Sequence, residues 1–146
     1  MQDIDAVINK LREFADVPIW LVGTSRGTES VTNIAIASQQ RPHGLVLTSS
    51  MTVGDGKGRA VPDFDLSRIN IPTLITYHEN DGCNKTQPKH VHRIKNGLVN
   101  APAVELKMFS GGREQSNPCE AMSYHGYLGI EDEVVNAIAT FVLANS

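Results

Sequence analysis

Residues 18–28 read Pro18-Ile19-Trp20-Leu21-Val22-Gly23-Thr24-Ser25-Arg26-Gly27-Thr28. The first five, PIWLV, form a continuous apolar run too short for a helix. Such a run fits a strand buried on both faces of a parallel sheet. Gly23 and Gly27 then bracket a turn, and Val31, Ile34, Ala35 and Ser38 recur at helical spacing over residues 26–38. Strand, tight turn and helix follow without a spacer, with Ser25 at the turn in the pattern G-x-S-x-G.

The same alternation extends in both directions. Upstream, Ile4, Val7, Ile8 and Leu11 give residues 3–15 one helical face, with Asp3 as the expected N-cap. Downstream, Arg41-Pro42-His43-Gly44 is a turn, and GLVLTS (44–49) is a second apolar strand. A segment rich in glycine, residues 53–69, is expected to be flexible, with Gly54-Asp55-Gly56-Lys57-Gly58 as a mobile loop over the site. The third strand is IPTLITY (71–77), with Pro72 near its start, where a missing ladder N–H is tolerated. Val91, Ile94 and Leu98 predict a helix over 86–99 with a basic outer face. AVELKMF (103–109) alternates like a strand exposed on one side, at a sheet edge. The last helix spans 131–144, with Glu131, Asp132 and Glu133 in its first turn and Val134, Val135, Ile138, Phe141 and Val142 as its buried face. Strands alternating with helices imply an α/β fold with a parallel sheet of about four strands.

Composition narrows the class. The chain has 146 residues, 40% of them hydrophobic, and a net charge of −3. A domain of that length buries about 68–70% of its unfolded surface, so residues 1–146 read as one domain that needs no staple. The mild acidity gives no electrostatic case for nucleic acid, and no apolar run approaches the roughly 18 residues of a membrane span. The acidic, amphipathic start lacks the basic and apolar regions of a signal peptide. Two cysteines, Cys83 and Cys119, are too far apart for a CxxC site. They read either as independent thiols or as one disulfide, which would imply an oxidising compartment, periplasmic or secreted, in place of the cytoplasm.

The chemistry of G-x-S-x-G explains its spacing. A serine at a sharp, strained turn points its hydroxyl out of the sheet, and small residues two before and two after let strand and helix approach. The following helix aims free N–H groups at the site, where they favour a developing oxyanion. Such a serine needs a base, and the base an orienting carboxylate. Asp81 lies in a loop just past the third strand, in Tyr77-His78-Glu79-Asn80-Asp81-Gly82-Cys83. His125 follows the fourth, in Ser123-Tyr124-His125-Gly126-Tyr127. The order Ser, Asp, His at the same end of successive strands is the one this motif requires.

On these residues the chain resembles the C-terminal half of an α/β-hydrolase, without the N-terminal strands and without a cap domain. IPTLITYHENDG is similar to that family's acid motif, and SYHGY to its histidine loop. The resemblance implies Ser25 as nucleophile, Asp81 as orienting acid and His125 as general base, with the Arg26 backbone N–H in the oxyanion hole and Gly23, Thr24 and Gly27 building the elbow. It implies an acyl-enzyme mechanism on a small-molecule ester or acyl substrate, with no cofactor or metal. It also makes the loops of Cys83 and Cys119 neighbours, which favours a Cys83–Cys119 disulfide.

The departure from the family also predicts something. A loop after an N-terminal strand normally supplies the second oxyanion donor, and the strand at 18–22 would lose its usual neighbour. An unpaired apolar strand invites pairing, so a homo-oligomer or a partner chain across residues 18–22 is expected. Two rival expectations follow: a catalytically silent domain serving binding or assembly, and one fragment of a split hydrolase. Among other residues, Glu79 competes with Asp81 as the acid, and His78 with His125 as the base, though it stands in the wrong order. His90 and His92 do not share a helical face, so a metal site there is not expected. His43 sits in a turn with no partner in view. Gly54-Asp55-Gly56-Lys57-Gly58 lacks phosphate-loop spacing, and Met51, Met108 and Met122 are expected in the core or lining a pocket.

Overall fold

The structure is a computed structural model that describes residues 2–146. Its elements are α1 (Gln2–Phe14), β1 (Trp20–Thr24), α2 (Gly27–Ala37), β2 (Gly44–Thr48), β3 (Thr73–His78), α3 (Val91–Gly97), β4 (Val104–Phe109) and α4 (Glu131–Ala144). The four strands form one parallel sheet in the order β1-β2-β3-β4. Trp20 pairs with Gly44, Leu45 with Thr73 and Thr73 with Val104.

The central strands explain the apolar runs. In β2, Leu45 and Leu47 point into a cluster with Ile75, Tyr77, Val91 and Ile94, against which Val31 and Ala35 of α2 pack. Val46 points the other way, onto Leu74 and Phe141 of α4. With both faces covered, every residue of β2 and β3 is buried. α2 and α3 thus cover one face and α4 the other.

Several expectations need correction. Asp3 lies inside α1 rather than capping it, and residue 1, before the helix, lies outside the described residues. Of the expected α1 face only Ile8 is buried, whereas Val7 and Leu11 are exposed. α1 docks through polar contacts instead: Ser38 hydrogen-bonds Asp5, and Arg12 donates to Gln40 and to the Arg41 carbonyl. β1 is half exposed rather than buried on both faces, because it is a sheet edge. The helix expected over 86–99 is a 3-10 turn at Pro88–His90 followed by the shorter α3, because Pro88 stands at the start of the turn and Leu98 leaves helical geometry. The 53–69 segment is not uniformly loose. Its second half forms 3-10 turns at Val61–Asp63 and Leu66–Arg68, and Val61, Leu66 and Ile69 are core residues. On α4 the buried stripe is Val134, Ala137 and Phe141 with Ile138 beside it, while Val135 is 61% exposed and Val142 only partly covered. Val134, Ala137, Ile138 and Phe141 fall at i, i+3, i+4 and i+7, and Val135 lies about 100° round from Val134. Met51 is buried, but Met108 and Met122 are largely exposed. His43 does have a partner: its Nδ1 accepts the Ile19 N–H at 2.8 Å, pinning the start of β1 to β2.

Two buried phenols set an alkaline limit on this fold. Burial pushes the Tyr77 and Tyr127 hydroxyls well above the ordinary tyrosine range, despite hydrogen bonds from Tyr77 to the Ser50 carbonyl and between Tyr127 and Thr76. The unfolded chain ionises these groups near pH 10. Their contribution to stability is therefore complete below about pH 10 and is lost as pH rises beyond it. Phenolate absorbance and circular dichroism should change together on alkaline titration. Free titration of all three tyrosines near pH 10 in a folded chain would contradict this.

Candidate active site

The turn after β1 carries the first feature. Ser25 has φ +51°, a left-handed conformation that costs a non-glycine residue about 1–2 kcal/mol. The surroundings enforce it. The Ser25 N–H donates to the Thr48 carbonyl at 3.0 Å, and the Ser25 carbonyl accepts from the Thr28 N–H and from Thr28 Oγ1 at 3.0 and 2.5 Å. Thr28 is fully buried, and its Oγ1 also accepts from the Met51 N–H. The backbone N–H groups of Arg26 and Gly27, at the start of α2, have no acceptor among the described residues. Free N–H groups at a helix N-terminus are donors of the kind that can stabilise a developing anion.

The two glycines of the motif have different jobs. A Cβ at Gly23 would lie 2.5 Å from Val31 Cγ2 and 2.8 Å from the Gly27 carbonyl oxygen, so only glycine lets α2 sit this close to β1. A Cβ at Gly27 would meet nothing within 4 Å. The expectation that both glycines serve close approach holds for Gly23 alone. At Gly27 it is the backbone, not a missing side chain, that presses on the strand.

Asp81 and His125 meet past the ends of β3 and β4. His125 Nδ1 lies 2.9 Å from Asp81 Oδ2, and both residues are buried. Asp81 Oδ1 accepts the Cys83 N–H at 2.9 Å, and Oδ2 also accepts Thr86 Oγ1–H at 2.9 Å. A carboxylate with both oxygens engaged holds the Nδ1–H tautomer and leaves Nε2 with a lone pair. Nε2 has no hydrogen-bond partner among the described residues, and no hydrogen bond links it to Ser25 Oγ. His125 itself is held by a 3-10 turn, Tyr124–Gly126, capped by Ser123 Oγ accepting the His125 N–H. Ser49 Oγ donates to the His125 carbonyl at 2.8 Å, tying that turn to the end of β2.

The competing residues are placed elsewhere. His78 is fully buried, its Nδ1 accepting the Asn80 N–H and its Nε2 paired with the Gly111 carbonyl at 2.8 Å, so both ring nitrogens are committed. Glu79 is exposed and only its backbone N–H is bonded, to Phe109. His90 and His92 belong to no cluster of metal-binding side chains among the described residues. Sequence reasoning missed Thr86, Ser49 and Ser123, whose hydroxyls hold the pair.

The glycine-rich loop is attached to the turn at Ser25. Arg26 forms an ion pair with Asp55, whose carboxylate also accepts the Lys57 and Gly58 N–H groups. The Arg26 hydrogen bond first, then those from the loop backbone, lowers Asp55 to about 2. The attachment is therefore present above about pH 4 and is lost as pH falls towards 2. Protection of the Lys57 and Gly58 amides, measured against their intrinsic exchange rates at each pH, should be lost only in that window.

Cys83 and Cys119 form a disulfide, with an S–S distance of 2.06 Å. It joins the loop of Asp81 to the segment preceding His125.

Comparison with known proteins bears on the fold. No protein-family model and no curated protein matches the sequence. The structure is similar to a monoacylglycerol lipase from Paleococcus ferrophilus, with TM-score 0.67 and 16% identity over 99% of this chain and 74% of that one. It is similar to Est816, an N-acyl homoserine lactone degrading enzyme, with TM-score 0.66 and 15% identity over 96% and 72%. It is also similar to MGS-M1, an α/β-hydrolase from a Medee basin deep-sea metagenome library, with TM-score 0.55 and 19% identity over 84% and 54%. The chain has the fold of the α/β-hydrolase superfamily, matching part of each relative's length.

Proposed function

We propose that the protein is a serine hydrolase acting on an ester or related acyl bond. The observation that carries this reading is the buried Asp81–His125 pair, 2.9 Å apart, at the end of the sheet where the strained Ser25 stands. Ser25 Oγ attacks the acyl carbon while His125 Nε2 takes its proton. The Arg26 N–H, with the Gly27 N–H beside it, stabilises the oxyanion. His125 then protonates the leaving alcohol, and water, activated by the same nitrogen, releases the acyl group. Asp81 holds the imidazole through Nδ1 and stabilises the imidazolium. The lipase and lactone-degrading neighbours support an acyl–oxygen bond as the target.

The test is direct capture of the intermediate. After brief incubation with p-nitrophenyl butyrate and acid quenching, a butyryl adduct on the Ser25 peptide is the expected mass-spectrometric result. Turnover with an unmodified Ser25 peptide, or an adduct on another residue, would overturn the assignment.

The open side of β1 favours a second component. The Ile19 carbonyl and Ser25 N–H bond towards β2, so by alternation the backbone groups of Trp20, Val22 and Thr24 face outwards. Val22 is 54% exposed and lines an apolar groove of about 250 Å³ with Val134, Val135 and Ile138. A strand from a second copy or a partner chain would satisfy those groups and bring a further N–H towards Ser25. On this reading Val22→Lys weakens self-association in sedimentation velocity, whereas a monomer at all concentrations favours a silent or split-fragment role. The disulfide supports an oxidising compartment.

A further inference from the structure

We propose that the Cys83–Cys119 disulfide positions Asp81 against His125, so that its reduction uncouples the carboxylate from the imidazole while the sheet stays folded. The inference deepens the hydrolase reading and rests on it for its consequence in activity. Each half of the bridge reaches one partner of the pair by short links. On one side, the Cys83 N–H donates to Asp81 Oδ1. The Cys83 carbonyl accepts the Thr86 N–H, whose side chain donates to Asp81 Oδ2. Asp81, Cys83 and Thr86 thus form one small hydrogen-bonded ring. On the other side, Cys119 sits in a tight turn in which Ser123 Oγ donates to the Pro118 and Glu120 carbonyls. The same Oγ accepts the His125 N–H.

Besides the disulfide, the Asp81 loop meets the histidine segment through His125 Nδ1, which lies 2.9 Å from Asp81 Oδ2 and 3.1 Å from Thr86 Oγ1, and through Gly82, where an added Cβ would lie 3.3 Å from Pro118 Cβ. Among the described residues no hydrogen bond joins residues 79–87 to residues 113–123, whereas the disulfide does. Residues 111–115 and 119–122 are exposed and carry no helix or strand. The three core clusters contain neither cysteine. The bridge is therefore placed to govern the pair without carrying the core.

The bridge is also reachable, since Cys119 is exposed while Cys83 is buried. A dithiol reductant attacks the Cys119 sulfur through its thiolate. The Sγ–Sγ bond breaks, and its electron pair leaves on Cys83, which takes up a proton. The reductant's second thiol then displaces Cys119 and closes its own disulfide. Two electrons and two protons pass from the dithiol to the protein, leaving two thiols.

Nuclear magnetic resonance of the imidazole N–H protons tests this on the intact chain. In the oxidised protein a downfield His125 Nδ1–H resonance is expected, assigned by its loss in His125→Gln. Dithiothreitol should abolish it while the Trp20 indole N–H and the core methyl resonances stay in place. Phosphonylation of Ser25 by a fluorophosphonate should fall by about 10²-fold, the cost of a small misplacement of reacting groups. Reoxidation should restore both, and Cys83→Ala/Cys119→Ala should match the reduced protein. A resonance and rate unchanged once two free thiols are counted would overturn the proposal. Loss of the Trp20 and core signals on reduction would also overturn it, since the bridge would then hold the whole fold. If the resonance responds as expected but Ser25 never labels, positioning stands and the hydrolase reading falls.

Discussion

Asp81→Asn is expected to lower acylation of Ser25 by about 10⁴-fold in an otherwise intact fold. The argument follows from the hydrogen bonds around the carboxylate. Oδ1 accepts the Cys83 N–H, so an asparagine at this position keeps its carbonyl oxygen there. Its amide nitrogen then replaces Oδ2, facing both His125 Nδ1 and Thr86 Oγ1. That nitrogen is a donor, so Nδ1 must become an acceptor and the ring proton moves to Nε2. Nε2 can no longer take the serine proton. Thr86 can turn its hydroxyl to accept, so the fold loses little. Thr86→Val leaves the carboxylate in place and should cost far less, about tenfold. The two variants are compared by the second-order rate of p-nitrophenyl ester hydrolysis. Equal losses in both, or a loss under tenfold in Asp81→Asn, would contradict the tautomer argument.

Gly23→Ala is expected to destabilise the protein by about 3 kcal/mol, at the upper end of overpacking costs. The added methyl meets a Val31 methyl and a backbone carbonyl, and the latter cannot rotate away. For a domain of this size the loss corresponds to a fall in Tm of about 6–12 °C. Any repacking that relieves it must move α2 away from β1, displacing Ser25 and the N–H groups of Arg26 and Gly27. Activity should fall along with stability. Gly27→Ala has open space and a helical backbone, so it should be neutral or stabilising by up to about 1 kcal/mol. Matched melting curves decide the point, and equal Tm shifts in the two variants would contradict it.

This pair of glycines shows how far the sequence carries. The pattern G-x-S-x-G located the turn, because an apolar run too short for a helix reads as a strand, although β1 is half exposed at the sheet edge rather than buried. The pattern treats its two glycines alike, and only the Val31 contact separates them. The order of Ser25, Asp81 and His125 was legible for a similar reason: Ser25 and Asp81 each follow a plain apolar run, and His125 follows the alternating strand at 103–109. The hydroxyls that hold the pair were not legible. Thr86, Ser49 and Ser123 act through partners far away in sequence, and a serine or threonine outside a local motif carries no signal of that. Faces of helices were read less well than helices themselves. Val7, Leu11 and Val135 are apolar at helical spacing, yet each lies on a side that no described element covers. Hydrophobic spacing states what a helix can bury, and the neighbours decide what it does bury.

The acyl-transfer account rests on Ser25 being activated by His125, and one measurement addresses that directly. Wild type, Ser25→Ala and His125→Gln are each reacted with a fluorophosphonate probe under non-reducing conditions, and the modified peptides are mapped. The account predicts stoichiometric labelling of wild type at Ser25, none in Ser25→Ala, and a rate reduced by at least about 10³-fold in His125→Gln. Absence of labelling in the wild type, or equal labelling of wild type and His125→Gln, would contradict it.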